Sequence, residues 1–254
     1  MSGEFAGQVA LVTGASSGIG QATARRLAAG GASLALVGRN RGRLEETAAS
    51  IEAPTVVIVA DLAQPTERAK VVPACLERFG RLDVLVNNAG IIAGGTLEAT
   101  SRERWDEMME INLRAVADLM RAALPHLEAT RGCVVNVSSV AGLRAFPNLL
   151  AYCVSKAALD QLTRCTALEL GPKGVRVNGV NPGVVVTELH RRGGMDEAAY
   201  AAFLEHSKET HPLGRVGQAE EVAEAIVYLA SPRAAFLTGV ALPVDGGRSQ
   251  TCLR

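Results

Sequence analysis

Short apolar runs alternate with longer stretches of helical periodicity along the whole chain. The apolar runs predict strands at 9–12, 33–37, 55–59, 84–86, 133–137, 175–181 and 240–244. The helical stretches between them lie near 19–29, 43–51, 67–79, 102–128, 151–170 and 219–230. Strands that alternate with helices are typical of a parallel sheet covered by helices on both faces. The pattern therefore predicts an α/β fold with a doubly wound, seven-stranded, Rossmann-like sheet.

This alternation leaves no room for a second domain, so we expect a single domain over residues 1–254. No linker rich in glycine, serine or proline and no internal repeat interrupts it. The one irregular stretch, the 187–211 segment, is predicted to be an insertion beside the substrate. Within it, Gly193 and Gly194 precede a short amphipathic run at 198–204, which is typical of a mobile lid with a hinge. A rigid surface helix is the alternative.

The composition indicates a protein that acts on a small molecule. Its 26 basic and 26 acidic residues give a formal net charge of zero, so neither nucleic acid nor a membrane surface is an expected partner. No apolar run reaches the ~20 residues that cross a bilayer, and the N-terminus has no signal-peptide pattern. We therefore expect a cytoplasmic protein. The four histidines are dispersed, and no metal site is predicted. No CxxC pair occurs among the five cysteines, which we interpret as reduced core residues: Cys75, Cys133, Cys153, Cys165 and Cys252.

A glycine-rich segment at 13–20 stands directly between the first predicted strand and the first predicted helix. Gly14, Gly18 and Gly20 lie where the backbone must turn tightly or approach a pyrophosphate, whose charge then sits at the positive end of the helix. The segment predicts a dinucleotide site. A tight strand-to-helix turn without a ligand is the alternative.

Tyr152 and Lys156 are four residues apart at the start of the predicted helix 151–170, so they project from one face. Carbonyl reduction needs a proton donor at the oxygen, and a free phenol with a pKa near ~10 is too weak at neutral pH. We expect the neighbouring ammonium to lower that pKa by roughly three units. An ordinary helix pair is the alternative for these two residues alone.

Two further polar residues lie where a substrate or its catalyst would be held. Ser139 follows the predicted strand 133–137, and the carboxyl ends of parallel strands carry ligands, so its hydroxyl can bind a substrate oxygen. Ser138 is its rival. Asn112 is polar within an otherwise apolar helical stretch, and a satisfied core amide is the alternative for it.

Taken together, these motifs resemble those of the single-domain short-chain dehydrogenases/reductases, over almost the whole chain. The resemblance rests on the TGxxxGxG segment 13–20, Asp61, the Asn-Asn-Ala-Gly segment 87–90, Asn112, Ser139, Tyr152 with Lys156, and the Asn-Pro-Gly segment 181–183. It implies an NAD(P)-dependent oxidoreductase with Tyr152 as acid/base. Lys156 would also bind the nicotinamide ribose, Asn112 would position a water chain, and Ser139 has the family's separation from the tyrosine.

The resemblance also implies the cofactor contacts. Asp61 would contact the adenine amino group, although an aspartate capping the next turn is the alternative. Asn87 would steady the sheet, and the segment after Asn181 would hold the nicotinamide carboxamide. The residues expected to bind the cofactor are Gly14, Ser16, Ser17, Gly18, Ile19, Gly20, Arg39, Asp61, Leu62, Asn88, Ala89, Gly90, Tyr152, Lys156, Pro182, Gly183, Val185 and Thr187.

The end of the second predicted strand favours NADPH over NADH. An NAD-preferring relative would usually carry an aspartate at the position of Gly38, and that carboxylate would repel a 2′-phosphate. Gly38 removes it, and the Arg39 guanidinium can pair with the phosphate. Ser17 weakens this prediction, because many NADPH-preferring relatives have a second basic residue within the glycine motif.

The substrate is left open among a 3-oxoacyl compound, a steroid, a sugar and a small dicarbonyl. We expect the inner loop, residues 140–150, and the 187–211 segment to form the substrate pocket. Ala141, Leu143, Phe146, Leu149 and Leu150 of the inner loop favour apolar substituents, with Arg144 or Asn148 holding one polar tail. A non-catalytic dinucleotide sensor or scaffold is the alternative function.

Apolar residues occur on more than one face of the predicted helices 102–128 and 151–170. A single sheet contact cannot bury them all, and the resemblance implies that such helices pair between subunits. The C-terminal stretches 237–240 and 243–247 resemble a second such interface. We therefore expect a homotetramer, or else a homodimer.

Overall fold

Seven parallel strands form one sheet in the computed structural model, which describes residues 3–251. Cys252 lies outside the described residues. The order is β3-β2-β1-β4-β5-β6-β7, so the chain reverses its direction of travel across the sheet between β1 and β4. The strands are β1 Val9–Thr13, β2 Ser33–Gly38, β3 Thr55–Val59, β4 Val84–Asn87, β5 Cys133–Val137, β6 Arg176–Pro182 and β7 Ala241–Val244. The predicted doubly wound α/β fold is confirmed, and every predicted strand is present.

Helices connect the strands on both faces of this sheet. They are α1 Gly18–Ala29, α2 Arg41–Ala49, α3 Pro65–Arg68, α4 Val71–Phe79, α5 Arg102–Met109, α6 Ala115–Thr130, α7 Val140–Leu143, α8 Leu150–Leu170, α9 Leu189–Arg192, α10 Glu197–Thr210 and α11 Ala219–Ala230. Short 3-10 turns occupy Gly171–Lys173, Pro232–Ala234 and Arg248–Gln250. Within residues 3–251, no helix is both long enough and apolar enough to cross a membrane.

The predicted continuous helix 102–128 is wrong in one respect. A π-helical turn, Glu110–Arg114, separates α5 from α6 and carries Asn112. The predicted helix 67–79 is also divided, into α3 and α4. Pro73 has no amide hydrogen and its ring would crowd the preceding turn, so it is accommodated in the first turn of α4.

Alternation along β1 shows why both faces of the sheet are covered. All five residues of β1 are buried. Val9 and Leu11 pack into one apolar cluster, whereas Ala10 and Val12 pack into the cluster on the other face. The central strands are therefore fixed on both sides, and their carboxyl ends provide a rigid base for a site.

Candidate active site

One cleft crosses the carboxyl ends of β1, β4, β5 and β6 and encloses about 590 Å³. It lies over the point between β1 and β4 where the strand order reverses, which is the usual ligand position in such sheets. Most of the expected site residues line it: Gly14, Ser16, Ser17, Gly18, Ile19, Arg39, Asn88, Ala89, Gly90, Ser139, Tyr152, Lys156, Pro182, Gly183, Val185 and Thr187. Gly20, Asp61, Leu62 and Asn112 are not among its lining residues.

The glycine-rich turn is shaped to admit a diphosphate. Gly14 and Gly18 have φ values of +66° and +54°, which a side chain would strain. A Cβ at Gly20 would lie 2.4 Å from the Gly14 carbonyl oxygen, so only glycine lets α1 begin this close to the turn. The Ser17 side chain does not cap α1, and the first turn holds no acidic residue. The positive end of α1 is thus available to an anion, and these residues fit a dinucleotide.

Asn88 fastens β4 to this turn. Its Nδ2 donates to the Thr13 carbonyl oxygen at 2.9 Å, and its backbone amide donates to Thr13 Oγ1 at 2.9 Å. The Ala89 amide donates to the same hydroxyl at 3.0 Å. The two strand ends that frame the cleft are therefore held together by one threonine and one asparagine.

Tyr152 and Ser139 meet on one wall of the cleft. Tyr152 lies near the start of α8, with 6% of its surface exposed. Burial raises the pKa of Tyr152 to about 12, and a hydrogen bond with the Ser139 side chain opposes this rise. The Ser138 hydroxyl has a different partner, because it donates to the Lys156 carbonyl oxygen at 3.2 Å. The geometry therefore favours Ser139 over Ser138 as the partner of Tyr152.

Lys156 lies one helical turn beyond Tyr152, with 4% of its surface exposed. Its Nζ is 5.9 Å from the centre of the Tyr152 ring and donates to the Val137 carbonyl oxygen at 2.9 Å. Burial lowers the pKa of Lys156 to about 8, and the Asp160 charge opposes this shift. The expected lowering of the Tyr152 pKa by the lysine is not found, because desolvation dominates at the phenol.

Asn112 is a fully buried, bonded amide in the π-helical turn. Its Oδ1 accepts from the Ile91 amide at 2.9 Å, and its Nδ2 donates to the Ile91 carbonyl at 3.0 Å and to Ser155 Oγ at 3.1 Å. A Cβ at Gly90 would lie 3.1 Å from Asn112 Oδ1 and 3.5 Å from Lys156 Nζ. Asn112 and Lys156 thus converge on Gly90, with Asn112 behind the cleft wall.

A second buried network, which the sequence analysis did not identify, supports Ser139. Asn181 Nδ2 donates to the Ser139 carbonyl oxygen at 2.9 Å and to Asp160 Oδ2 at 2.9 Å. Burial raises the pKa of Asp160, while its hydrogen bonds with Ser138 and Asn181 oppose the rise. Asp160 carries no recognisable motif in the sequence, because its role depends on the packing of α8 against β6.

Asp61 and Leu62 occupy structural positions. Asp61 Oδ1 accepts from the Ala63 amide at 3.1 Å, which is the turn-capping role given above as the alternative. Leu62 is 8% exposed and belongs to the apolar core. Their expected contact with the adenine stays a prediction.

The inner loop and the 187–211 segment form the other walls of the cleft. Ala141, Phe146 and Leu149 line it, whereas Leu143 and Leu150 do not. Arg144 is also turned away, since its guanidinium donates to the Ser249 and Thr251 carbonyl oxygens at 2.7 and 2.8 Å. Asn148 is likewise absent from the lining. The expected polar anchor in the inner loop is therefore not present.

The 187–211 segment contributes α9, the glycines that follow it and one residue from the middle of α10. Thr187, His190, Gly193, Met195 and Phe203 all line the cleft. Arg192, which sequence reasoning missed, also lines it, and its Nη2 donates to Ser17 Oγ at 3.1 Å. This bond connects the segment to the glycine-rich turn.

Arg248, from the C-terminal 3-10 turn, is a second residue that sequence reasoning missed. It reaches the cleft through tertiary contacts that no local pattern signals. Across residues 3–251, no three His, Cys, Asp or Glu side chains are grouped so that they could hold a metal ion.

Comparison with known proteins agrees with this geometry. A family model described as enoyl-(acyl carrier protein) reductase matches residues 14–249. The chain is 36% identical over 244 residues to meso-2,3-butanediol dehydrogenase of Serratia marcescens, covering 96% of this chain and 95% of that enzyme.

Two solved structures are similar along nearly their whole length. A short-chain dehydrogenase/reductase of unknown function from Caenorhabditis elegans, determined with cofactor, superposes with a TM-score of 0.92 at 36% identity, covering 98% of this chain and 97% of that one. The 3-ketoacyl-(acyl-carrier-protein) reductase from Brucella melitensis, complexed with NADH, superposes with a TM-score of 0.89 at 34% identity, covering 96% of this chain and 99% of that one.

Proposed function

Because the chain belongs to the short-chain dehydrogenase/reductase family and is an oxidoreductase that interconverts a carbonyl and an alcohol with a nicotinamide dinucleotide, we propose that Tyr152 is its acid/base and NADPH its favoured cofactor. The observation that carries the first assignment is the meeting of Ser139, Tyr152 and Lys156 in one cleft. A sensor or scaffold has no need of this convergence.

The roles follow from what each side chain can do. When bound, the nicotinamide supplies or accepts the hydride. In ketone reduction, the Ser139 and Tyr152 hydroxyls hold the carbonyl oxygen, and Tyr152 gives its proton to it. An alkoxide is a stronger base than a phenolate, so this proton moves downhill. Lys156 then restores the proton of Tyr152, and Asn112 positions the backbone beside Lys156.

A preference for NADPH is supported by the charges at the edge of the cleft. Gly38 places no carboxylate there, and Arg39 lines the cleft. Arg192 donates a hydrogen bond to Ser17. Ser17 stands in the glycine motif, where many NADPH-preferring relatives have a second basic residue. A 2′-phosphate bound at this edge would be paired with Arg39 and Arg192.

The substrate we propose is a ketone or secondary alcohol with an apolar body. Ile92, Phe146, Leu149 and Phe203 give the walls of the cleft an apolar character that suits acyl, cyclic or small dicarbonyl compounds better than sugars. Butanediol and ketoacyl compounds, which appear in the names of two similar proteins, fall within this range. We also propose a cytoplasmic homo-oligomer; free thiols at Cys75, Cys133, Cys153 and Cys165 support a reducing compartment.

A screen of the purified protein against ketones and secondary alcohols, read by nicotinamide absorbance, tests the reaction. Tyr152→Phe removes the proton donor and keeps the ring, so we expect turnover to fall by about 1,000-fold while cofactor affinity, measured by fluorescence titration, stays within about twofold. The matched control is Tyr228→Phe, because Tyr228 is exposed and lies outside the cleft. Turnover that is unchanged in Tyr152→Phe would reject the acid/base assignment.

A further inference from the structure

One cation in the cleft has no part in the proposed chemistry. Arg248 begins the 3-10 turn after β7, and its guanidinium carbon lies 5.1 Å from the centre of the Phe146 ring. Phe146 packs against the apolar cluster that contains Tyr152. On its other side, Arg248 Nη1 donates to Thr210 Oγ1 of α10 at 2.7 Å. The guanidinium therefore stands between the inner loop and the 187–211 segment, in the substrate half of the cleft.

The charge of this guanidinium is not matched by a bonded carboxylate. Arg248 Nε is buried and has no hydrogen-bond partner within residues 3–251. Asp245 is the acidic residue whose charge acts on it, yet both Asp245 oxygens accept from backbone amides, of Gly247 at 2.9 Å and of Ser249 at 2.7 Å. Arg104, another arginine of the cleft, differs because it is bonded to Glu107 at 2.9 Å. Since Nε is enclosed by the protein and Nη1 donates to Thr210, Nη2 is the guanidinium nitrogen left for a ligand in the cleft.

The contacts of Arg248 fix its orientation. The Asp245 bonds close the turn, Phe146 supports the face of the guanidinium, and Thr210 occupies Nη1. Nη2 carries two N–H donors, and its hydrogen bond to a carboxylate oxygen would be strengthened by the charge of the guanidinium. Burial lowers the pKa of His190, and the Arg248 charge lowers it further, so this neighbour in the cleft adds no second charge. Arg248 is thus a preorganised site for one planar anion.

We propose that Arg248 binds a carboxylate on the substrate, and that the enzyme reduces ketones carrying an acid group away from the reacting carbonyl. This inference rests on the proposed function for the carbonyl chemistry alone. It assigns the polar anchor of the pocket to the C-terminal turn, where the carboxylate would meet Arg248 Nη2 while the apolar body of the substrate contacts Phe146.

The test compares ketones that differ only in charge. We expect the wild-type enzyme to reduce 3- or 4-acetylbenzoate with a kcat/KM at least about tenfold above that of the matching acetylbenzamide. Arg248→Met should lower kcat/KM for the benzoate about 100-fold, mainly through KM, while the benzamide stays within about threefold. Arg248→Lys should keep part of the preference, because it keeps the charge. Arg121→Met, at an exposed position outside the cleft, is the control, and its preference should equal that of the wild type.

Two further measurements separate the possible failures. If Arg248→Met does not fold, as judged by its thermal transition, Arg248→Gln replaces it. If no ketone is reduced with either cofactor, the proposed function fails, and calorimetric binding of benzoate against benzamide then tests Arg248 alone. Benzoate binding that Arg248→Met abolishes supports the proposal. Benzoate bound equally by both proteins, or by neither, overturns it, as does a wild-type enzyme that reduces ketones without preferring the acid.

Discussion

At Tyr152 and Lys156, burial has more influence on protonation than any neighbouring charge. The pKa of the phenol rises to about 12 and that of the ammonium falls to about 8, so both groups are displaced toward their neutral forms. A phenol that keeps its proton at neutral pH is ready to give it to a carbonyl oxygen, so the site favours reduction there.

These shifts predict how ketone reduction depends on pH. Lys156 has a lowered pKa, so its charged form predominates below about pH 8 and is lost as pH rises through that value. Tyr152 stays protonated over the same range because its pKa is raised. We expect kcat/KM for reduction to be level below about pH 8 and to decline above it. Lys156→Arg keeps its positive charge over this pH range. Its kcat/KM should therefore not decline above about pH 8, even if its turnover is slower than that of the wild type. A profile that rises through pH 8 would contradict the assignment.

Cofactor preference is a further prediction at the residue scale. A Cβ at Gly38 would lie 3.4 Å from Leu44 Cδ2 and 3.6 Å from Ser16 Oγ, so an aspartate can be placed there. Gly38→Asp should lower the ratio of kcat/KM for NADPH to that for NADH about tenfold or more, because the carboxylate repels the 2′-phosphate. Gly42→Asp adds the same charge at an exposed position outside the cleft and should change little. A wild-type enzyme that prefers NADH by about tenfold would refute the preference.

Single residues also show what a sequence can and cannot predict about a site. The types and order of Ser139, Tyr152 and Lys156 are visible in it, since strand ends and helix periodicity place them. The direction of the Tyr152 pKa shift is not visible, because it depends on how many atoms exclude water from the phenol. Arg248 is invisible for a similar reason. Only the folded chain brings the C-terminal turn against Phe146.

Among the elements, the interruption between α5 and α6 is also a feature that the sequence alone does not reveal. Hydrophobic periodicity predicts a continuous helix there, because a π-helical turn inserts a single residue and disturbs the pattern little. Its cause is tertiary: Asn112 exchanges two hydrogen bonds with the backbone of Ile91. The interruption turns Asn112 toward the back of the active site, where Lys156 lies.

Side-chain contacts and backbone conformation restrict the 187–211 segment around its two predicted hinge glycines. Tyr200 Oη donates to the Thr187 carbonyl oxygen at 3.1 Å, and the Arg191 guanidinium lies 4.1 Å from the centre of the Tyr200 ring. A Cβ at Gly193 would lie 2.9 Å from the Ile92 carbonyl oxygen. Gly194 has a φ of +99° and nothing within 4 Å of the Cβ position. A side chain at Gly193 would therefore collide with Ile92, whereas a side chain at Gly194 would strain the backbone.

We predict that this segment is a lid whose closure the two glycines control. Gly193→Ala must push α9 away from Ile92, so kcat and KM should both change by about fivefold or more, with the thermal transition within a few degrees of the wild type. Gly194→Ala should act in the same direction through backbone strain of about 1 kcal/mol. Gly80→Ala imposes the same strain at an exposed helix end and should leave the kinetics unaltered. If the Gly193 variant behaves like this control, the segment is a rigid wall.

On the scale of the whole molecule, the fold was predictable because strand and helix signals alternate from β1 to β7. The position of the site followed as well, since the glycine-rich turn, the 87–90 segment, Ser139 and the 181–183 segment all stand at the ends of strands. Strand order could not be obtained in this way, because nothing local states that β4 pairs with β1 instead of β3. The pairing is determined by which buried faces the helices can cover together.

The outer surface of the molecule carries apolar side chains that a lone chain leaves in water. On α8, Val154 and Leu168 are 37% and 80% exposed. Near β7, Phe236 is fully exposed and Tyr228 is 38% exposed. Val154 and Leu168 lie on the predicted helix 151–170, which is expected to pair between subunits, and Phe236 directly precedes the other expected stretch, 237–240. Scattered apolar residues are common on proteins, but their occurrence on or beside both expected interfaces favours association.

We predict a homotetramer that uses both surfaces, each through a two-fold contact. Leu168→Asp places a charge on the α8 surface, and Phe236→Asp places one beside β7, so each variant should give a dimer and the double variant a monomer. Leu97→Asp, at a position 82% exposed and outside both surfaces, is the control and should remain tetrameric. Light scattering at micromolar concentration measures the masses. A wild-type mass near the 26.5 kDa of one chain would show that neither surface is an interface.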